Sequence, residues 1–184
     1  MSLKNKKRKK KISFPRNCPS CNKLLKKKNK KAYCLNINCK AKILERIKHF
    51  LSKNAMNIKI NKKIIKKLFK EKKIKKIIDF YSLKINDLIN LKISKKEANR
   101  IIQEIKNSKN QSFSNILFAL SIPNIGKYLS KKIGEKYNNI LTLIKDIKKE
   151  KINYIGKKNL DNIKIFFKQN LKIIKKLKKI GCNL

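Results

Sequence analysis

Acids, histidine, glycine and arginine are all scarce in this chain, and each shortage excludes something. Of 184 residues, only 10 are Asp or Glu and one is His. Nucleophilic and acid–base catalysis require a base held against its partner. Ten scattered carboxylates and a lone His49 offer no evident pair of that kind. Glycine occurs only as Gly126, Gly134, Gly156 and Gly181, each following Ile. Glycine-rich loops that cradle a nucleotide's phosphates are therefore absent. No apolar run approaches the roughly 20 residues of a membrane helix, so no membrane partner is expected. The chain reads as soluble, cytoplasmic and associated with the nucleoid.

Lysine fills the space these residues leave. Lys and Arg number 53 and the formal net charge is +43, although arginine stands only at Arg8, Arg16, Arg46 and Arg100. A surface this basic repels itself and seeks a polyanion, and nucleic acid is the natural one. Lys, Ile and Asn are also what AT-rich codons encode, so charge supports nucleic-acid binding without indicating sequence preference.

Two cysteine pairs carry the first specific signal. Cys18-Pro-Ser-Cys21 and Cys34-Leu-Asn-Ile-Asn-Cys39 have the ligand spacing of a tetrahedral zinc site. The bridge Asn22–Tyr33 contains only Asn, Lys, Leu, Ala and Tyr. It cannot bury a core, so bound metal would supply the local folding energy. Four sulfurs leave no coordination position for water, which makes the expected zinc structural. The plain alternatives are reduced cysteines without metal, or disulfides, which suit a secreted chain better than this one.

Residues 1–13 form a lysine block, expected to be a disordered basic arm. A zinc finger is expected over 14–40 and a helical DNA-binding domain over 41–184. Helical spacing recurs in Ile43, Ile47, Phe50 and Leu51, in Ile64, Ile65, Leu68 and Phe69, and in Ile74, Ile77, Ile78 and Tyr81. Ser94 and Glu97 have capping-box spacing ahead of Ala98, Ile101, Ile102 and Ile105. Four more such faces follow, from Phe113 to Leu120, Ile140 to Ile147, Leu160 to Phe167 and Leu171 to Leu177. The predicted fold class is mainly α, with a small four-cysteine ribbon in front.

The helical region contains a repeat. Ile122-Pro-Asn-Ile-Gly126-Lys127 returns thirty residues later as Ile152-Asn-Tyr-Ile-Gly156-Lys157. Shorter copies, Leu91-Lys-Ile-Ser94-Lys95 and Ile58-Lys-Ile-Asn61-Lys62, replace Gly by Ser or Asn. Gly at that point permits positive φ and close approach of a backbone, and the free N–H groups of the following helix form an anion site. Each copy thus predicts a helix-hairpin-helix unit gripping one phosphate, with Gly126, Lys127, Gly156 and Lys157 the stronger candidates. Asn61, Lys62, Ser94 and Lys95 are the weaker ones. Ordinary helix–helix turns with a C-cap Gly are the plain alternative.

A four-cysteine module followed by four such hairpins resembles the C-terminal half of bacterial NAD-dependent DNA ligases. The segments Ala41–Met56 (with its His49-Phe50), Leu117-Phe-Ala-Leu120, Ile152–Phe167 and Lys179-Ile-Gly-Cys-Asn-Leu184 carry the resemblance. It implies a part that grips nicked double-stranded DNA in replication and repair. The family's adenylylated Lys lies in a Lys-x-Asp-Gly motif, absent here because each glycine follows Ile. NAD and Mg²⁺ are therefore expected only at a missing catalytic domain or on a separate adenylylating chain. By this reading the chain is a split or truncated ligase and is inactive alone. A stand-alone nucleic-acid-binding zinc protein without a ligase role is the alternative.

Overall fold

The computed structural model describes residues 15–29, 31–149 and 152–184. The expected basic arm at 1–13 lies outside them. The chain divides into two compact units, one ending at Ile43 and the other beginning at Leu44.

In the first unit, β1 (Leu25–Lys28) pairs antiparallel with β2 (Lys31–Cys34), with Leu25 opposite Cys34 and Lys26 opposite Tyr33. Asn22 and Asn29 take left-handed backbone conformations (φ 54° and 46°) at the first cysteine turn and beyond β1. Asn tolerates that region better than most residues. Among the described residues of this unit, only Cys18 and Cys39 are buried. As the bridge composition implied, no apolar core forms.

Helix α1 (Lys40–Leu51) begins in the first unit and ends in the second. The second unit continues with α2 (Lys62–Lys70), a 3-10 helix (Ile77–Ser82), α3 (Ile85–Ile89), α4 (Lys95–Asn107) and a short 3-10 turn (Ser108–Asn110). It closes with α5 (Phe113–Ala119), α6 (Lys127–Lys136), α7 (Ile140–Lys148) and α8 (Lys157–Lys179). Its core is built from the predicted faces: Phe50, Leu68, Ile101, Ile116, Leu117 and Leu143 are all fully buried. The chain is thus mainly helical, with a two-stranded, four-cysteine module in front.

Two elements differ from the sequence reading, and α3 was not among its helical faces. Residues 77–82 form a 3-10 helix, whose three residues per turn align i with i+3. Ile77 and Phe80 are therefore buried there, while Ile78 and Tyr81 are only half-buried. The last two apolar faces belong to one helix, α8, with a non-helical residue at Asn170 (φ −115°, ψ 16°). Asn170 Nδ2 donates to the Phe166 carbonyl at 2.8 Å, and Leu171, just past the break, is exposed.

Candidate metal centre and nucleic-acid interface

The four cysteine sulfurs meet at one point. All lie within 4.8 Å of one another, with Cys18–Cys39 at 3.9 Å and Cys21–Cys34 at 3.5 Å. Four sulfurs at about 2.3 Å from a tetrahedral zinc stand about 3.8 Å apart, so the cluster fits that ion. None of the four forms a disulfide. The backbone around them is organised for thiolates. The Lys42 N–H lies against Cys39 and holds its thiol down at about 6, and the Lys23 N–H lowers Cys21. Burial pushes Cys34 the other way, up to about 12. A cation among the sulfurs would offset that penalty and favour the deprotonated set. Around the cluster, the Ala41 N–H at the start of α1 donates to Ser20 Oγ, and Lys42 Nζ donates to the Cys34 carbonyl. Sequence pattern did not single out Ser20 or Lys42, because neither is a ligand.

The four repeat copies all lie between two helices, and their key residues all occupy N-cap positions: Asn61 of α2, Ser94 of α4, Gly126 of α6 and Gly156 of α8. In the two Gly copies the apolar pairs, Ile122 with Ile125 and Ile152 with Ile155, are buried beneath the turn.

One expectation is corrected here. Gly126 has φ −84° and Gly156 φ −57°, so neither uses the positive φ that glycine allows. The left-handed corners fall two residues before the cap, at Asn124 (φ 62°) and Lys92 (φ 60°). Ile122–Ile125 forms a turn with Pro123 and Asn124 at its centre, closed by the Ile125 N–H on the Ile122 carbonyl at 3.0 Å. Pro followed by a positive-φ residue is the type II pattern. At the second copy, Lys92 and Ile93 donate back to the Ile89 and Leu88 carbonyls, a Schellman ending for α3.

What the glycines provide is open space. A Cβ built on Gly126 or Gly156 meets nothing within 4 Å. Neither offers a side chain to cap its helix, so the leading N–H groups have no side-chain partner, although in α8 the Asn159 N–H bends back to the Gly156 carbonyl at 2.8 Å. The weaker copies satisfy their own donors: Asn61 Oδ1 accepts from Lys63 N at 2.8 Å, and Ser94 Oγ from Glu97 N at 3.3 Å. Glu97 does not turn back to complete a capping box. Its carboxylate pairs with Arg100, which holds it below the usual carboxylate range.

Charge follows the same division. Lys62, Lys95, Lys127 and Lys157 each open their helix, at the positive end of the dipole. A cation there is unfavourable by about 0.3–1 kcal/mol unless an anion joins it. Only α4 has an acid, Glu97, in its first turn. Lys127 and Lys157 are both exposed, and Lys127 Nζ donates to Asn54 Oδ1 at 3.1 Å. Asn54 carried no sequence signal, since it lies 73 residues from its partner. His49, the lone imidazole, donates through Nε2 to the Phe118 carbonyl at 2.8 Å and packs edge-on against the Phe118 ring. It is not one of the residues of the metal cluster.

No family model matches the chain. Curated relatives named DNA ligase do. That of Aquifex aeolicus is 39% identical over 182 residues, covering 94% of this chain and 25% of the relative. That of Hydrogenobaculum sp. is 37% identical, covering 92% of this chain and 25% of the relative, and that of Bacillus cereus is 32% identical, covering 93% and 27%. Over nearly all its length this chain is homologous to a segment of the DNA ligases, and it spans about a quarter of the length of the curated relatives it matches.

Proposed function

We propose that this chain is the DNA-binding portion of an NAD-dependent DNA ligase. It grips nicked duplex DNA through phosphates during replication and repair. The observation that carries this reading is the pair of uncapped helix N-termini at Gly126 and Gly156. There no side chain caps the leading N–H groups, which are those of Lys127, Tyr128 and Leu129 in α6 and of Lys157 and Lys158 in α8, and the space at each glycine is open. Phosphate contacts of this kind fix position without reading bases, and a +43 chain supplies the counter-charge. Zinc in Cys18, Cys21, Cys34 and Cys39 holds the front module. Adenylylation, with its NAD and Mg²⁺, belongs to a domain or chain carrying the Lys-x-Asp-Gly lysine. No described helix is long and apolar enough to cross a membrane, and we place the protein in the cytoplasm with the nucleoid.

Titration of labelled nicked duplexes across a salt series tests the proposal. If about six phosphates are neutralised, log affinity should fall with log salt at a slope near about −5, with weak preference among unrelated sequences. A flat salt response, or strong discrimination between unrelated duplexes, refutes it. Incubation with NAD and Mg²⁺ should leave no covalent AMP on the purified chain.

A further inference from the structure

The ribbon turns its cysteines inward and its large apolar side chains outward. Four of the nine large apolar residues exposed among the described residues lie here: Leu24 (74%), Tyr33 (47%), Leu35 (63%) and Ile37 (70%). Strand geometry accounts for three of them. Residues two apart share a face, so Leu24 sides with Lys26, and Leu35 with Tyr33. Lys26 and Tyr33 are themselves cross-strand partners. Leu24 and Leu35 lie one step past the Leu25–Cys34 pair, on the opposite face from the metal ligand. An exposed apolar cluster of this kind marks a contact surface.

Three occupants compete, and charge separates them. A second copy would bring +43 against +43. DNA phosphates gain nothing from aliphatic side chains, and the ribbon's lysines (Lys26, Lys27, Lys28 and Lys31) are available for them. The third is the rest of a ligase, since the matched span is only 25% of the relatives named above. We propose that Leu24, Tyr33, Leu35 and Ile37 form a docking face for the catalytic remainder of the ligase, on the same polypeptide or another. The surface that receives it is apolar with an acidic rim, complementary to these leucines and the lysines around them. This rests on the ligase reading above.

The test uses the full-length Aquifex aeolicus ligase with its matched span exchanged for this chain, compared with this chain alone. Hydroxyl-radical footprinting without DNA should show labelling at the four residues falling at least about fivefold in the exchanged ligase. Leu24→Ser with Leu35→Ser should slow nick sealing by that ligase about tenfold. The same double variant of the isolated chain should keep its zinc and its DNA affinity. Ile37→Ser, outside both strands, should slow sealing in the same direction if the double variant loses metal. Unchanged labelling, protection that appears only when DNA is added, protection already complete in the isolated chain, or sealing indifferent to all the variants overturns the proposal. Failure of the isolated chain to bind DNA would instead refute the phosphate-gripping reading and leave the docking result to stand alone.

Discussion

The residues before Leu44 and those after Ile43 reach a defined fold by different means. Among its described residues the ribbon buries two cysteines and no aliphatic side chain, and its four ligand-type sulfurs meet at one point. The helical unit buries its apolar faces in the ordinary way and places its candidate ligand-binding groups at helix ends, clear of that core. With zinc in the cluster, as proposed, one unit would depend on an ion, whereas the other depends on packed volume. The same kind of insult should act on them in opposite ways.

Removing the metal gives the largest effect. Structural zinc contributes on the order of 10 kcal/mol or more to small modules. Cys34→Ser, or chelation, should take bound zinc from one per chain to none and unfold the ribbon. Helical circular dichroism should persist, because the second unit buries an apolar core of its own. Loss of helicity in parallel with zinc would show that the two units fold as one.

The converse is Phe80→Ala. Phe80 is fully buried, and removing a core Phe costs about 3–5 kcal/mol. Thermal melting followed by helical signal should shift down sharply, while zinc stoichiometry at low temperature stays at one. Zinc lost together with helix stability would contradict the division.

A smaller effect is expected at Gly134, where α6 meets α5. A Cβ there would lie 2.6 Å from the Ser114 Cβ, so Gly134→Ala should cost about 1–3 kcal/mol as an overpacked contact. Ser114→Gly should recover part of this in the double variant, since it removes the atom struck. Denaturant midpoints of the two single variants and the double variant measure it. Additive losses would place the strain elsewhere.

The parts legible in the sequence are those governed by neighbours along the chain. The cysteine spacing located the sulfur cluster, and the Ile-x-x-Ile-Gly-Lys repeat located two helix starts, because a knuckle and a cap are each built from a few consecutive residues. Period 3.6 found most helices. It failed at 77–82, where Ile77 and Phe80 answer to period 3. Positive φ was assigned to Gly126 and Gly156 on the ground that glycine tolerates it best, yet Asn124 holds the corner before Gly126, and the described residues leading to Gly156 have none. Turn geometry required the corner two residues earlier, and the cap itself is extended. The Gly134–Ser114 contact and the Lys127–Asn54 bond join segments 20 or more positions apart, and no local pattern encodes them. The ribbon's outward leucines were visible as residues, but their face was not, because it depends on the strand register, which pairs Leu25 with Cys34.

The smallest expected effect discriminates best between a turn and a binding site. Gly126→Ser would copy at α6 what Ser94 already does at α4. Backbone strain does not oppose it, since φ is −84° and the added Cβ meets nothing. By analogy with Ser94 Oγ, the new hydroxyl should accept from the Leu129 N–H, a cap that stabilises by a few tenths of a kcal/mol, roughly, relative to Gly. If that N–H otherwise donates to a phosphate, DNA binding loses one hydrogen bond of about 1 kcal/mol, or about fivefold in affinity. Stability and affinity should thus move in opposite directions, and Gly156→Ser should change both less, because at α8 the equivalent N–H, of Asn159, already donates to the Gly156 carbonyl at 2.8 Å. Ser94→Gly should lower stability by a similar few tenths, roughly, without weakening DNA binding. Melting temperature and DNA titration on the same samples read both quantities. Affinity that follows stability upward in the Gly→Ser variants would reduce all four hairpins to turns.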